Sequence, residues 1–528
     1  MISRRTAMAM GMTLPFARSL EAQEQDVEYS FTILHTNDFH GRHMAFEVAP
    51  GNATAHTGDP GGDGTEFQRA GHIGGFAALA AAVAAHRAER GASNVVLVDG
   101  GDTFSDDLLG NLTQGEANIR LMNAVGYDFM ALGNHDFDYG LDRTRRLSEL
   151  ADFPIRGANV IDDSTGEPLF GEPVRMMEVG GVKVALLALG YHNTPLTGDR
   201  KNIDGLSFTS GIEAARRLVP ELRREAEVVV VVSHQGKSVD EKLLEEVEGI
   251  DLVIGAHSHD LITPPERVGG GWLVQALSDG AMLGQVTIRL RGGAVTEVTG
   301  SMHPLWVDEV GEDPEIAALV AELRAPHREA LEEVIATAAE RIGRQHSSES
   351  PFDKLVGRIL REETGAEIAF MPGVGYGVSL NAGPITREAL TALLPHPTKP
   401  ATLTLTGAEI REILEQSATN QAPGDPLEAV GGLIQTDGLT WSADLRRPQG
   451  ERVGEIRVGE SVLDPARRYS VVANAGMLEG LHKYDAFKTG QNVTELQRSI
   501  TDLVEAAFRK VGTVQAPPLG DVTVRQEG

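Results

Sequence analysis

Six short, almost wholly apolar runs set the strongest limit on what the first part of this chain can form. They are Phe31-Thr32-Ile33-Leu34, Asn94-Val95-Val96-Leu97-Val98, Phe129-Met130-Ala131-Leu132, Val184-Ala185-Leu186-Leu187-Ala188-Leu189, residues 228–232 and Leu252-Val253-Ile254. Amphipathic stretches lie between them, such as the Ala-rich segment 70–90. Short continuous apolar runs separated by helical spacing predict strands covered on both faces, hence an α/β fold over residues 29–304. Polar clusters stand just beyond the C-terminal ends of five of these runs: Asp38-Phe39-His40, Gly100-Gly101-Asp102, Gly133-Asn134-His135-Asp136, Ser233-His234 and Gly255-Ala256-His257-Ser258-His259. Loops at that end of an open α/β sheet converge, so the clusters are expected to share one site.

The residue types in those clusters point to metal chemistry. Asp38 and His40 project from one loop and can reach the same cation. Asp102 offers a carboxylate able to bridge two cations, on a turn eased by Gly100 and Gly101. Asn134 offers a neutral carbonyl oxygen, and His234, His257 and His259 offer imidazoles. The chain has no cysteine, so the donors are hard oxygen and imidazole, which suit Mn, Fe, Co or Zn. Two divalent metal ions about 3.5–4 Å apart would bind an anionic ester and lower the pKa of water.

These segments resemble the calcineurin-like metallophosphoesterase superfamily, and its secreted 5′-nucleotidase/UDP-sugar hydrolase branch in particular. The resemblance rests on His35-Thr36-Asn37-Asp38-Phe39-His40-Gly41 and Ala131-Leu132-Gly133-Asn134-His135-Asp136-Phe137-Asp138, with matching motifs over residues 30–260. It implies an N-terminal β-sandwich flanked by helices (αββα), linked by a helix to a smaller α/β C-terminal domain. It also implies that Asp38, His40, Asp102 and His259 hold one metal, and Asp102, Asn134, His234 and His257 the other. His135 would stabilise charge on the phosphoryl oxygens, oriented by Asp138, during in-line attack by water activated at the metals.

The C-terminal half departs from that branch. Where the family supplies a phosphate-binding arginine, this chain reads Met371-Pro372-Gly373-Val374-Gly375-Tyr376-Gly377, and Tyr376 is the nearest counterpart. His396 follows Leu394-Pro395 in place of the first base-stacking ring, Gly476 takes the second, and His482 replaces the ribose carboxylate. Lost stacking removes about 1–3 kcal/mol per ring. Tyr376, His396, His482 and Tyr484 are therefore expected to line a different anion or sugar pocket. Met371-Pro372-Gly373 and Leu427-Glu428-Ala429-Val430-Gly431-Gly432 also resemble the dimanganese thiosulfate-pathway hydrolases, although Gly133-Asn134-His135-Asp136 is the phosphoesterase form of the central motif. The first reading is an exported phosphohydrolase of a phosphomonoester or nucleotide-like diphosphate. The alternatives are a sulfur-containing or cyclic phosphodiester substrate on the same metals, or a periplasmic metal or anion binder without turnover.

At 528 residues the chain needs more than one core. The expected division is a signal peptide over 1–26, a catalytic domain over 27–310, a solvated helical linker over 311–350 and a substrate-binding domain over 351–528. Arg4-Arg5 before a short, mildly apolar run predicts Tat-type export. The formal charge of -29 repels nucleic-acid polymers and anionic membranes. The expected partner is a small anionic substrate attracted by local cations, with no membrane partner once the signal is removed.

Overall fold

The computed structural model describes residues 28–50, 67, 69–374 and 379–526. The predicted signal peptide, most of the Gly-rich segment 50–65 and Tyr376 lie outside the described residues.

Two sheets of six strands build the N-terminal half among those residues. In the first, Glu28–Thr36 pairs in parallel with Val95–Asp99, which is followed by Phe129–Ala131 and Ile155–Arg156. In the second, Val182–Leu189, Val228–Ser233 and Leu252–Ile254 run in parallel. The sheets pack face to face: Phe31, Ile33, Val96 and Val98 of one meet Val184, Leu186, Val230 and Val232 of the other in one buried cluster. The opposite faces are covered by helices. Phe76–Arg90, Glu116–Val125 and Leu141–Leu150 lie on the first sheet, and Gly211–Glu225 and Lys237–Glu246 on the second. Because the central strands are buried on both faces, they read as unbroken apolar runs rather than as alternation. The architecture is the αββα sandwich that the family resemblance implied.

The segment expected as a solvated linker differs from the expectation. Its helix, Pro314–Arg324, buries Ile316, Val320 and Leu323 in the cluster that covers the first sheet. Helical structure ends with Arg328–Glu332, and Val334–Ala338 is already a strand, pairing with Gly383–Thr386 and Thr513–Val514. Apolar residues three and four apart on that helix were a packing stripe, and the Glu and Arg between them are its wet face. The C-terminal half centres on a mixed sheet in which Ile368–Met371, Arg468–Asn474 and Pro400–Thr406 are neighbours.

Candidate metal centre

Strand register brings the polar clusters to one edge. Thr36 is level with Asp99, and Asp99 with Met130, so the loops bearing Asp38, Asp102 and Asn134 leave the first sheet side by side. Val232 is level with Ile254, which sets His234 beside His257 on the second sheet. Backbone bonds tie the loops together: Asp38 N donates to Gly101 O and His40 N to Asp102 O, each at 2.9 Å. Asp136 fastens two loops at once, its carboxylate accepting from Gly133 N at 2.7 Å, Asp102 N at 3.1 Å and Thr103 N at 3.2 Å. The sheets are joined by His257 N, which donates to Asp38 Oδ2 at 2.9 Å, and by His234 Nδ1, which donates to Gly100 O at 2.7 Å.

The side chains converge in two adjoining groups. Asp38 Oδ1 lies 3.4 Å from His259 Nε2 and 4.0 Å from His40 Nε2. Asp102 Oδ2 lies 3.0 Å from His234 Nε2, and the same nitrogen is 3.9 Å from Asp38 Oδ1, which links the groups. The rings of His234 and His257 are 5.2 Å apart. Asp38, His40, Asp102, His257 and His259 all hold positive φ, between 45° and 74°. That is costly for residues with a Cβ and is a pattern of functional sites.

The electrostatics fit a cation. Asn134 Oδ1 is buried without a hydrogen-bond partner, and His234 Nε2 is buried facing the carboxylates of Asp102 and Asp38, a donor set that suits a metal ion. Burial acts to raise Asp102, but His234 and His135 outweigh it and hold the carboxyl at about 2, so it is ionised. Burial, reinforced by His234, pushes His257 well below its usual range and leaves its ring neutral, the form that ligates.

His135 stands beside this pocket with Nδ1 2.9 Å from Asp138 Oδ2, the contact expected from their spacing. Burial opposes charge on its ring, yet Asp106, Asp138 and Asp102 raise it well above the ordinary histidine range. The four expected substrate residues fare differently. His396 reaches the site from the C-terminal half, its ring parallel to that of His135 with centroids 5.3 Å apart. His482 is buried against Gly431, where any Cβ would overlap its ring. Tyr484 is a correction: it is fully buried in the C-terminal core with Phe487, so no face of its ring meets a pocket. Tyr376 lies outside the described residues.

Two carboxylates escaped sequence reasoning. Asp106 Oδ2 is 2.8 Å from His40 Nδ1. Asp107 is 2.5 Å from His43 Nδ1 and caps the helix Leu108–Thr113. Neither follows an apolar run directly, so the signal that found the other residues was silent here.

Residues 31–261 match the calcineurin-like phosphoesterase family model and residues 334–489 the 5′-nucleotidase C-terminal domain model. The protein UshA of Yersinia enterocolitica is 24% identical, over 98% of this chain and 99% of its own length. A 5′-nucleotidase from Vibrio vulnificus is 25% identical over 78% of this chain and 80% of its own. Among solved structures, a 5′-nucleotidase precursor from Thermus thermophilus gives a TM-score of 0.83 at 25% identity, covering 95% of this chain and 100% of that one. The sulfate thiohydrolase SoxB of Thermus thermophilus also gives 0.83, at 29% identity, over 94% of this chain and 97% of its own. Equal scores mean that the shared fold does not choose between the substrates those two names carry.

Proposed function

Because the chain belongs to the calcineurin-like phosphoesterases and ends in a 5′-nucleotidase C-terminal domain, we propose that it is an exported dimetal phosphohydrolase of a phosphomonoester or nucleotide-like diphosphate. One observation carries the reading: two groups, Asp38 with His40 and His259, and Asp102 with His234 and His257, each gather their ligand atoms within 4.8 Å. Asn134 adds its buried oxygen to the second group, and Asp38 Oδ1, 3.9 Å from His234 Nε2, links the two, with Asp102 as the proposed bridging carboxylate. Held by these residues, two divalent cations would supply a water of lowered pKa and positive charge for the phosphoryl oxygens.

The chain's own residues do the rest. Asp136 holds the Asp102 and Asn134 loops in register through three backbone N–H groups. His135 is charged at neutral pH: Asp138 holds its Nδ1–H, and its Nε2–H is the donor presented to the charge that builds on the phosphoryl group. His396, parallel to His135 with ring centroids 5.3 Å apart, brings a side chain of the C-terminal half to the same place.

Phosphate release from AMP and a chromogenic phosphate ester, and UMP formation from UDP-glucose, on Mn-, Co- and Zn-loaded protein test the proposal, with a protein-bound thiosulfonate as the competing substrate. The expected result is phosphate release that falls about 10²–10⁴-fold in His135→Ala while metal content is retained. Turnover of the thiosulfonate alone, or release unaffected by His135→Ala, contradicts it.

A further inference from the structure

Asp106 bears two costs at one position. It is 2% exposed and holds φ at 78°, a left-handed backbone that few residues with a Cβ adopt. A buried carboxylate also needs partners to offset its lost hydration. It does not cap a helix, because the neighbouring Asp107 does that. Oδ2 instead accepts from His40 Nδ1 at 2.8 Å and from Ser105 Oγ at 3.2 Å, and lies 3.5 Å from His135 Nδ1. Oδ1 has no hydrogen-bond partner and faces His396 Nε2 at 3.5 Å. The other nitrogen of His396 is 3.6 Å from Asp138 Oδ2. One carboxylate therefore touches a proposed metal ligand with one oxygen and the C-terminal half with the other.

We propose that Asp106 is a positioning residue for the phosphoesterase reaction: Oδ2 fixes the His40 ring so that Nε2 faces the metal pocket, and Oδ1 seats His396 over His135. This rests on the two-cation reading above. An imidazole that ligates through Nε2 is oriented by what its Nδ1–H meets, and removing such a partner weakens metal binding. His40 Nε2 lies 3.0 Å from His259 Nε2, so the ring Asp106 holds already points into the pocket. Through His396 the same carboxylate makes the position of the C-terminal half felt at the metal ligands.

The test is calorimetric titration of metal-free full-length protein with Mn(II), beside kcat and KM for a phosphate ester at saturating Mn(II). Asp106→Gly suits it, because glycine adopts the left-handed backbone without strain, and a thermal melt checks that the variant is folded. One of two Mn(II) sites should weaken about 10–100-fold while the other is unchanged. Asp106→Asn should recover part of that affinity, since its amide oxygen can accept from His40. In kcat/KM, Asp106→Gly and His396→Gln should combine less than additively. Both sites kept at wild-type affinity in Asp106→Gly, no recovery in Asp106→Asn, or fully additive effects would overturn the role. Wild-type protein that binds fewer than two ions would overturn the two-cation reading as well. Two wild-type ions with an unaltered Asp106→Gly would overturn this inference alone.

Discussion

At the scale of single residues, the site is a set of side chains whose burial and backbone conformation are each unfavourable alone. His35 gives the clearest stability consequence. It lies on the strand that leads to Asp38, with its ring against Gly284; both ring nitrogens lack hydrogen-bond partners, and burial lowers its pKa to about 3. A histidine held neutral in the fold is protonated first in the unfolded chain, so stability is full above pH 6.5 and is lost as pH falls from there toward about 3. Metal-free protein should lose about 2–3 kcal/mol from this residue between pH 7 and pH 4.5. Urea unfolding at both pH values checks it: His35→Leu should show a smaller loss, and an equal loss would assign the acid sensitivity elsewhere. The residues legible in the sequence were those whose chemistry stands directly at the end of an apolar run, as Asp38, Asp102, Asn134, His234 and His257 do. Asp106 and Asp107 sit farther along a loop with no periodic signal. Tyr484 was misread because a polar tip in a Gly-rich stretch looks the same in sequence whether it lines a pocket or fills a core.

Whole elements carry the geometry through register. Parallel pairing of Glu28–Thr36 with Val95–Asp99, and of Val228–Ser233 with Leu252–Ile254, ends each strand at the level where its ligand loop must turn. Close loop packing follows, and glycine permits it. A Cβ on Gly101 would lie 2.6 Å from Gly133 N, and one on Gly133 would overlap Asp102 Oδ1. Gly133→Ala is expected to cost about 1–3 kcal/mol by overpacking and to displace Asp102, lowering bound metal. Thermal melts with metal analysis measure both, and a variant with unchanged metal content would show that the loop yields without moving the carboxylate. Strand positions read from the apolar runs match the observed elements closely, from Phe129–Ala131 to Leu252–Ile254. The edge strand Ala294–Pro304 and its inner neighbour Met282–Arg291 went unread, because they alternate and one face is solvated.

For the molecule as a whole, the two halves meet at the site rather than away from it. Tyr191 stacks on His257 with ring centroids 3.8 Å apart and donates through its hydroxyl to Ala429 O at 2.8 Å. His192 Nε2 donates to Leu427 O at 2.8 Å, and Asn111 Nδ2 to Pro395 O at 2.8 Å. Farther out, Arg324 joins His43 to Glu388. The loop 427–432 is thus an interdomain contact. Export belongs to this scale too. Among the described residues no helix is long and apolar enough to cross a membrane. The proposed twin-arginine signal is read by a receptor that distinguishes guanidinium from ammonium. Replacing Arg4 and Arg5 together by lysine should retain the protein in the cytoplasm on cell fractionation, and undiminished export would refute a Tat route. The central claim, that loops from two sheets grip a pair of neighbouring cations for hydrolysis, meets its most direct test in a titration. Metal-free protein is titrated with Mn(II) while phosphate-ester hydrolysis is followed. The account predicts that activity rises to a plateau at two equivalents per chain; a plateau at one equivalent, or activity without added metal, would contradict it.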